Sequence, residues 1–215
     1  MTMQQTKSND NNSNQETTSC SAISVFPSLI LLQEVSEYKE LLEVVTKLRR
    51  QDPNGVSASN MGGWHSPLQP FPELLQKYIP FPEFSGTCWY MVNTNMQGNY
   101  SHQHPNNDWS GVLWLKVPET EAKLEFEHPD CFAQYNAMNS IQHYHPDIQK
   151  EYNYYQAYAF PPKEGTMLIF PASLRHRVYF SSTDDERIAL SFNIELPILQ
   201  WNRPYLTSSR SAFSY

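Results

Sequence analysis

Apolar and polar positions alternate over Thr87–Asn95 (TCWYMVNTN), the spacing of a half-buried strand. Short apolar runs at Gly111–Lys116, Lys123–Phe126, Thr166–Pro171, Arg175–Phe180 and Arg187–Leu196 predict further strands, with Asp184-Asp185-Glu186 as the turn before the last. Ile23–Leu32 reads as a first buried strand, placed at an edge or bend by Pro27. A different period occurs between Ser36 and Arg50. Tyr38, Leu41, Leu42, Val45 and Leu48 recur at helical spacing, Ser36 is the expected N-cap, and Lys47, Arg49 and Arg50 favour the helix C-terminus. Asp52-Pro53-Asn54-Gly55 ends that helix with turn chemistry, and Pro70–Tyr78 fits a short helix. The Tyr-rich stretch Asp130–Ala159 reads as a long loop or a short helical insertion over the mouth of a barrel. Ser59–Ser66 (SNMGGWHS) is a loop, with Trp64 and His65 packed back on the core or placed at a pocket rim. Many short strands separated by turns predict a mainly β fold with flanking helices, closed or sandwiched.

Composition narrows this picture. Residues 1–20 are dominated by Gln, Asn, Ser and Thr and read as a disordered polar tail. The remainder, 21–215, reads as a single domain with its core at about 57–196. A 40% hydrophobic share is enough for a real core. The net charge is −7, with no Lys/Arg run longer than Arg49–Arg50, which argues against nucleic acid as the main partner. No apolar stretch approaches the ~18 residues of a membrane span. The apolar run around Ala22–Leu32 is interrupted by Ser24, Pro27 and Ser28, so it makes a poor secretory signal. Cys20, Cys88 and Cys131 are scattered and form no C-x-x-C, which fits a reducing, cytoplasmic setting. Oligomeric state is not legible.

Candidate chemistry concentrates in two stretches. In Asn99–Lys116, His102 and His104 stand two apart, so they share a face if the segment is extended. Two imidazoles on one face supply half a metal site. In Gly165–Ile194, His176 follows a strand and a Pro-containing turn, and Arg187 and Ser191 open an apolar strand. An inward arginine at one end of a pocket suits a small dicarboxylate or keto acid, because guanidinium offers carboxylate a planar fork. Arg187 as a surface ion pair with Asp184–Glu186 is the plainer alternative. Trp89, Trp109 and Trp114 read first as core, with a pocket wall as the other possibility. His128, His143 and His145 read as surface or lid residues.

Four pieces, SNMGGWHS, HQHPNNDWSGVLWLKVPE, EGTMLIFPASLRHRV and ERIALSFNI, resemble the 2-oxoglutarate/Fe(II)-dependent oxygenases related to prolyl hydroxylases, of the bacterial and phage type. The likeness runs in order over about residues 57–196. It implies a double-stranded β-helix (jelly-roll, cupin-like) holding Fe(II) and 2-oxoglutarate, with molecular oxygen as co-substrate. It also implies hydroxylation of a small molecule or a protein side chain. His176 resembles the distal histidine ligand, and Arg187 the arginine for the far carboxylate of 2-oxoglutarate, with Ser191 assisting. The first pair departs from the usual His-x-Asp/Glu, since His104 stands where the carboxylate is expected. Three resolutions are open. His102, His104 and His176 all bind metal, or Asp108 folds back as the anionic ligand, or His102 orients another ligand. Two other functions stay open: a non-catalytic jelly-roll binding module, and a cupin-like three-histidine oxygenase working without 2-oxoglutarate.

Overall fold

The computed structural model describes residues 27–119 and 122–197, together with Ala22 and Ser24. The expected tail 1–20 lies outside the described residues. The strands are β1 (Leu31–Glu34), β2 (Asn60–Met61), β3 (Trp64–His65), β4 (Gln69–Pro70), β5 (Ser85–Asn93), β6 (Gly98–His102), β7 (Trp109–Lys116), β8 (Leu124–Glu127), β9 (Ala157–Phe160), β10 (Thr166–Pro171), β11 (His176–Val178) and β12 (Arg187–Glu195). Three α-helices accompany them: α1 (Leu41–Gln51), α2 (Cys131–Tyr144) and α3 (Pro146–Glu151).

The strands form two antiparallel sheets. The larger runs β1-β10-β7-β12-β5-β3, with β4 also on β5, and the smaller runs β2-β6-β11-β8-β9. Side-chain alternation along β12 explains how they face each other. Ile188, Leu190, Phe192 and Ile194 join Leu41 and Val45 of α1 in a core on the outer face of the large sheet. Ala189 points the other way, into a second core that Trp114, Leu168 and Phe170 share with Leu124 and Phe126 of the small sheet. The second core is therefore the interior of the roll, and this mainly β, two-sheet architecture agrees with the jelly-roll expectation. Close packing fixes one glycine. A Cβ on Gly111 would lie 2.1 Å from the Phe192 ring and 2.6 Å from the Leu168 carbonyl oxygen.

Three local expectations change. The first described strand begins at Leu31 and is an edge strand paired with β10; Ile23, where the expected strand starts, lies outside the described residues. Ser36 does not cap the helix. Its hydroxyl donates to Glu37 Oε2 at 2.8 Å, and a 3-10 turn at Tyr38–Glu40 precedes α1. The segment Pro70–Tyr78 contributes a 3-10 helix over Glu73–Tyr78. Of the two readings for 130–159, the helical insertion holds: α2 and α3 connect β8 to β9. Among the described residues no helix is long and apolar enough to cross a membrane.

Candidate metal and cosubstrate site

His102 ends β6 and His176 begins β11, and the two are register partners. The pairing is bulged: three steps along β6, from Asn99 to His102, oppose two along β11, from Val178 to His176. That extra residue turns both Asn99 and His102 to the same face. His104 lies two residues past β6, tied down by its N–H donating to the Ala172 carbonyl at 3.0 Å. The three imidazoles converge. Ring centroids are 4.4 Å apart for His102–His176, 4.9 Å for His102–His104 and 5.1 Å for His104–His176. One ligand nitrogen from each lies within 4.8 Å of the others.

Their chemistry suits a cation. His102 Nδ1 donates to the Tyr100 carbonyl at 2.7 Å and His176 Nδ1 to the Leu174 carbonyl at 2.8 Å, which leaves each Nε2 with a free lone pair. His104 Nε2 and His176 Nε2 stand 3.3 Å apart. That is close to the ~3 Å between two ligands set at right angles, each ~2.1 Å from one ion. Burial, followed by the neighbouring imidazoles, pushes His104 down to about 3 and His176 down to about 4. Burial lowers His102 as well. All three are thus neutral near pH 7, the form that binds metal. Three neutral imidazoles are a donor set that accepts Fe(II), as it does zinc, copper and nickel.

Arg187 sits on the inner face of β12, 5% exposed. Its Nη1 donates to the Ala122 carbonyl at 2.9 Å. The Asn93 amide, oriented as its neighbours require, accepts from Nη2 at 3.1 Å. Burial alone depresses its guanidinium to about 10, so it remains a cation at neutral pH. The surface ion-pair alternative is not what forms, because Glu186 pairs with Arg49 at 2.7 Å. Ser191, half-buried, lies four residues along the same face, opposite Trp89 and Val112.

Other candidates separate cleanly. Asp108 is held elsewhere: its Oδ2 accepts the Leu196 N–H at 2.8 Å, joining the β6–β7 turn to the end of β12. The imidazole cluster comprises the three histidines without it. His143 and His145 are exposed at the end of α2, and His128 Nδ1 accepts the Asp130 N–H at 3.1 Å. Of Trp89, Trp109 and Trp114, Trp89 stacks on His104, with centroids 5.6 Å apart, and also on buried His65, at 5.8 Å and 8°. Trp114 packs between the sheets, and Trp109 meets Phe81 on the outer face. The residues that sequence reasoning passed over are Asn93 and Asn99. Both are buried amides inside the roll, and the Asn99 Oδ1 has no partner among the described residues. Strand alternation places Asn93 on the inner face, but only the β6 bulge turns Asn99 inward.

A jelly roll with clustered histidines and an inward cation defines a class of metal-dependent oxygenase. Residues 87–193 match the model of the family described as "Putative 2OG-Fe(II) oxygenase". Through that segment, which holds all five candidate residues, the chain belongs to the 2OG-Fe(II) oxygenase family. It is a 2-oxoglutarate-dependent oxygenase whose cofactors are Fe(II) and 2-oxoglutarate. Solved structures share the fold. A prolyl-4-hydroxylase from Pseudomonas putida is 12% identical with a TM-score of 0.51, covering 79% of this chain and 94% of its own. A Trichoplax adhaerens prolyl hydroxylase in complex with a hypoxia inducible factor oxygen degradation domain peptide is 10% identical at 0.51, covering 77% and 83%. HygX from Streptomyces hygroscopicus, with nickel and 2-oxoglutarate bound, is 10% identical at 0.50, covering 80% and 84%. No curated protein matches the chain.

Proposed function

We propose that this protein is a hydroxylase that inserts oxygen into a C–H bond of a small molecule or a protein side chain. In this reading His102, His104 and His176 hold the iron, and Arg187, assisted by Ser191, binds the far carboxylate of 2-oxoglutarate. The observation that carries it is the convergence of three neutral imidazoles inside the same roll as a buried arginine.

Iron with 2-oxoglutarate and oxygen supplies the oxidising power: one oxygen atom enters the substrate as hydroxyl and the other enters succinate as carbon dioxide leaves. The residues do the rest. Two backbone carbonyls fix the tautomers of His102 and His176 so that both present Nε2. Trp89 stacks over the face of His104 and helps hold that ring. His102, His104 and His176 contribute no carboxylate, so they would leave the charge of a bound Fe(II) to be balanced by an anionic cosubstrate. The scattered cysteines support a cytoplasmic setting for this chemistry.

The test is metal retention. His176→Ala, loaded anaerobically with Fe(II) and dialysed, should lose its metal while the parent keeps it. Iron held by the variant at parent stoichiometry refutes the ligand set. Oxygen uptake that persists in the parent without 2-oxoglutarate would favour the cosubstrate-independent three-histidine enzyme.

A further inference from the structure

We propose that Asn93 is a positioning residue that holds the Arg187 guanidinium through a neutral hydrogen bond, leaving the cation unspent so that it selects 2-oxoacids carrying a second carboxylate. The inference rests on the assignment of Arg187 to the cosubstrate.

Asn93 is fully buried at the end of β5, directly opposite Arg187 in the β5–β12 register. Its amide accepts from Arg187 Nη2 at 3.1 Å and donates to the Val92 carbonyl at 3.2 Å. The second anchor is equally neutral, the Ala122 carbonyl on Nη1 at 2.9 Å. Each terminal nitrogen of a guanidinium carries two N–H groups, so among the described residues these contacts use one on each. A carboxylate takes up a pair of N–H groups as two parallel hydrogen bonds. The residue type is the telling part. Aspartate has nearly the same shape, but it would pair with Arg187 and neutralise it inside the protein. A leucine would leave the Nη2 donor without its acceptor. Asparagine orients the cation without discharging it.

The SNMGGWHS stretch, which the oxygenase chemistry leaves unused, supports this placement. Gly63 has φ +72°, a left-handed conformation. A Cβ there would lie 2.8 Å from the Val92 carbonyl oxygen and 2.9 Å from the Asn93 amide. β3 starts at the next residue and pairs with β5 through Trp64 and Val92. The glycine therefore gives the Asn93 side chain its room, and the loop is a backing for the Asn93–Arg187 pair.

The experiment titrates Ni(II)-loaded protein, which performs no turnover, with two probes. 2-Oxoglutarate and 2-oxobutyrate share the chelating 2-oxoacid end, and only the first has a far carboxylate. The parent should prefer 2-oxoglutarate. Asn93→Asp should lose that preference by about tenfold or more, with 2-oxobutyrate affinity held within about twofold. Asn93→Ala should lose part of it in the same pattern, and it carries the test alone if Asn93→Asp does not fold. Both probes weakening together, or neither changing while Arg187→Met abolishes the preference, overturns the role of Asn93 and leaves the oxygenase assignment standing. A parent with no preference, or an Arg187→Met variant that keeps it, overturns the cosubstrate assignment and this inference with it.

Discussion

Arg187→Met removes the buried cation while nearly preserving side-chain volume. If the guanidinium binds the far carboxylate of 2-oxoglutarate, the lost charge-assisted hydrogen bonds are worth about 1.5–3 kcal/mol. At 1.4 kcal/mol per decade, this is a 10- to 150-fold loss of affinity, roughly. The structure puts the value toward the upper end, since Arg187 is only 5% exposed and water does not screen the contact. Ligand-induced melting shifts read this directly. At a 2-oxoglutarate concentration ~100 times the parent Kd, binding stabilises by about 2.7 kcal/mol, and a hundredfold weaker variant keeps about 0.4 kcal/mol. For a chain of this size that means a shift of about 5–11 °C in the Ni(II)-loaded parent and about 1–2 °C in the variant. Metal affinity should stay within about twofold, because Arg187 is not among the clustered metal-ligand residues. A full parental shift in Arg187→Met would falsify the reasoning.

Three further outcomes follow from the packing and the buried titrating groups. In metal-free protein His104 and His176 sit at about 3 and about 4, against ~6.5 when unfolded. The unfolded chain therefore binds more protons between those limits, and stability that is complete above ~6.5 is lost as pH falls. The metal-free protein should melt lower near pH 5 than near pH 7.5, while His104→Gln/His176→Gln flattens the dependence; a parent that melts equally at both contradicts this. Cys88 is buried and its thiol is pushed up to about 12 by burial, so iodoacetamide should label the partly exposed Cys131 in native protein and reach Cys88 only after denaturation. Mass spectrometry of native digests decides this, with early Cys88 labelling as the adverse result. Gly111→Ala forces a methyl against the Phe192 ring and should cost about 1–3 kcal/mol, a melting drop of roughly 2–12 °C; an unchanged melt would mean the ring relaxes freely.

The strands flanking the site were legible because their apolar or alternating runs are bounded by polar and turn residues. β5, β7, β10 and β12 lie within two residues of expectation at either end. The histidine cluster was legible only in part: His102 ends β6, but His104 lies beyond the strand, held by the Ala172 carbonyl, and His176 meets them through pairing of distant strands. What was hidden depends on pairing between distant segments. The two-residue strands β2, β3 and β4 exist only because β6 and β5 offer partners, and no local pattern announces them. The inward turn of Asn99 comes from a bulge, a property of two strands rather than one. Asn93 looked like the polar end of a strand, and its meaning emerges only when Arg187 is laid opposite. Ser36 failed as a cap because a neighbouring carboxylate, Glu37, competes for its hydroxyl. The helices of 131–151 carry little amphipathic signal: Phe132 is 97% exposed and Tyr144 73%, so apolar spacing gave no warning of them.

The groups that aim His102 and His176 are main-chain oxygens, each two residues upstream of the ring it steers. No side-chain replacement at Tyr100 or Leu174 can delete them. Sequence drift at those two positions can reshape the surroundings while the imidazoles keep their heading, and only a change in the path of the chain itself would turn them away.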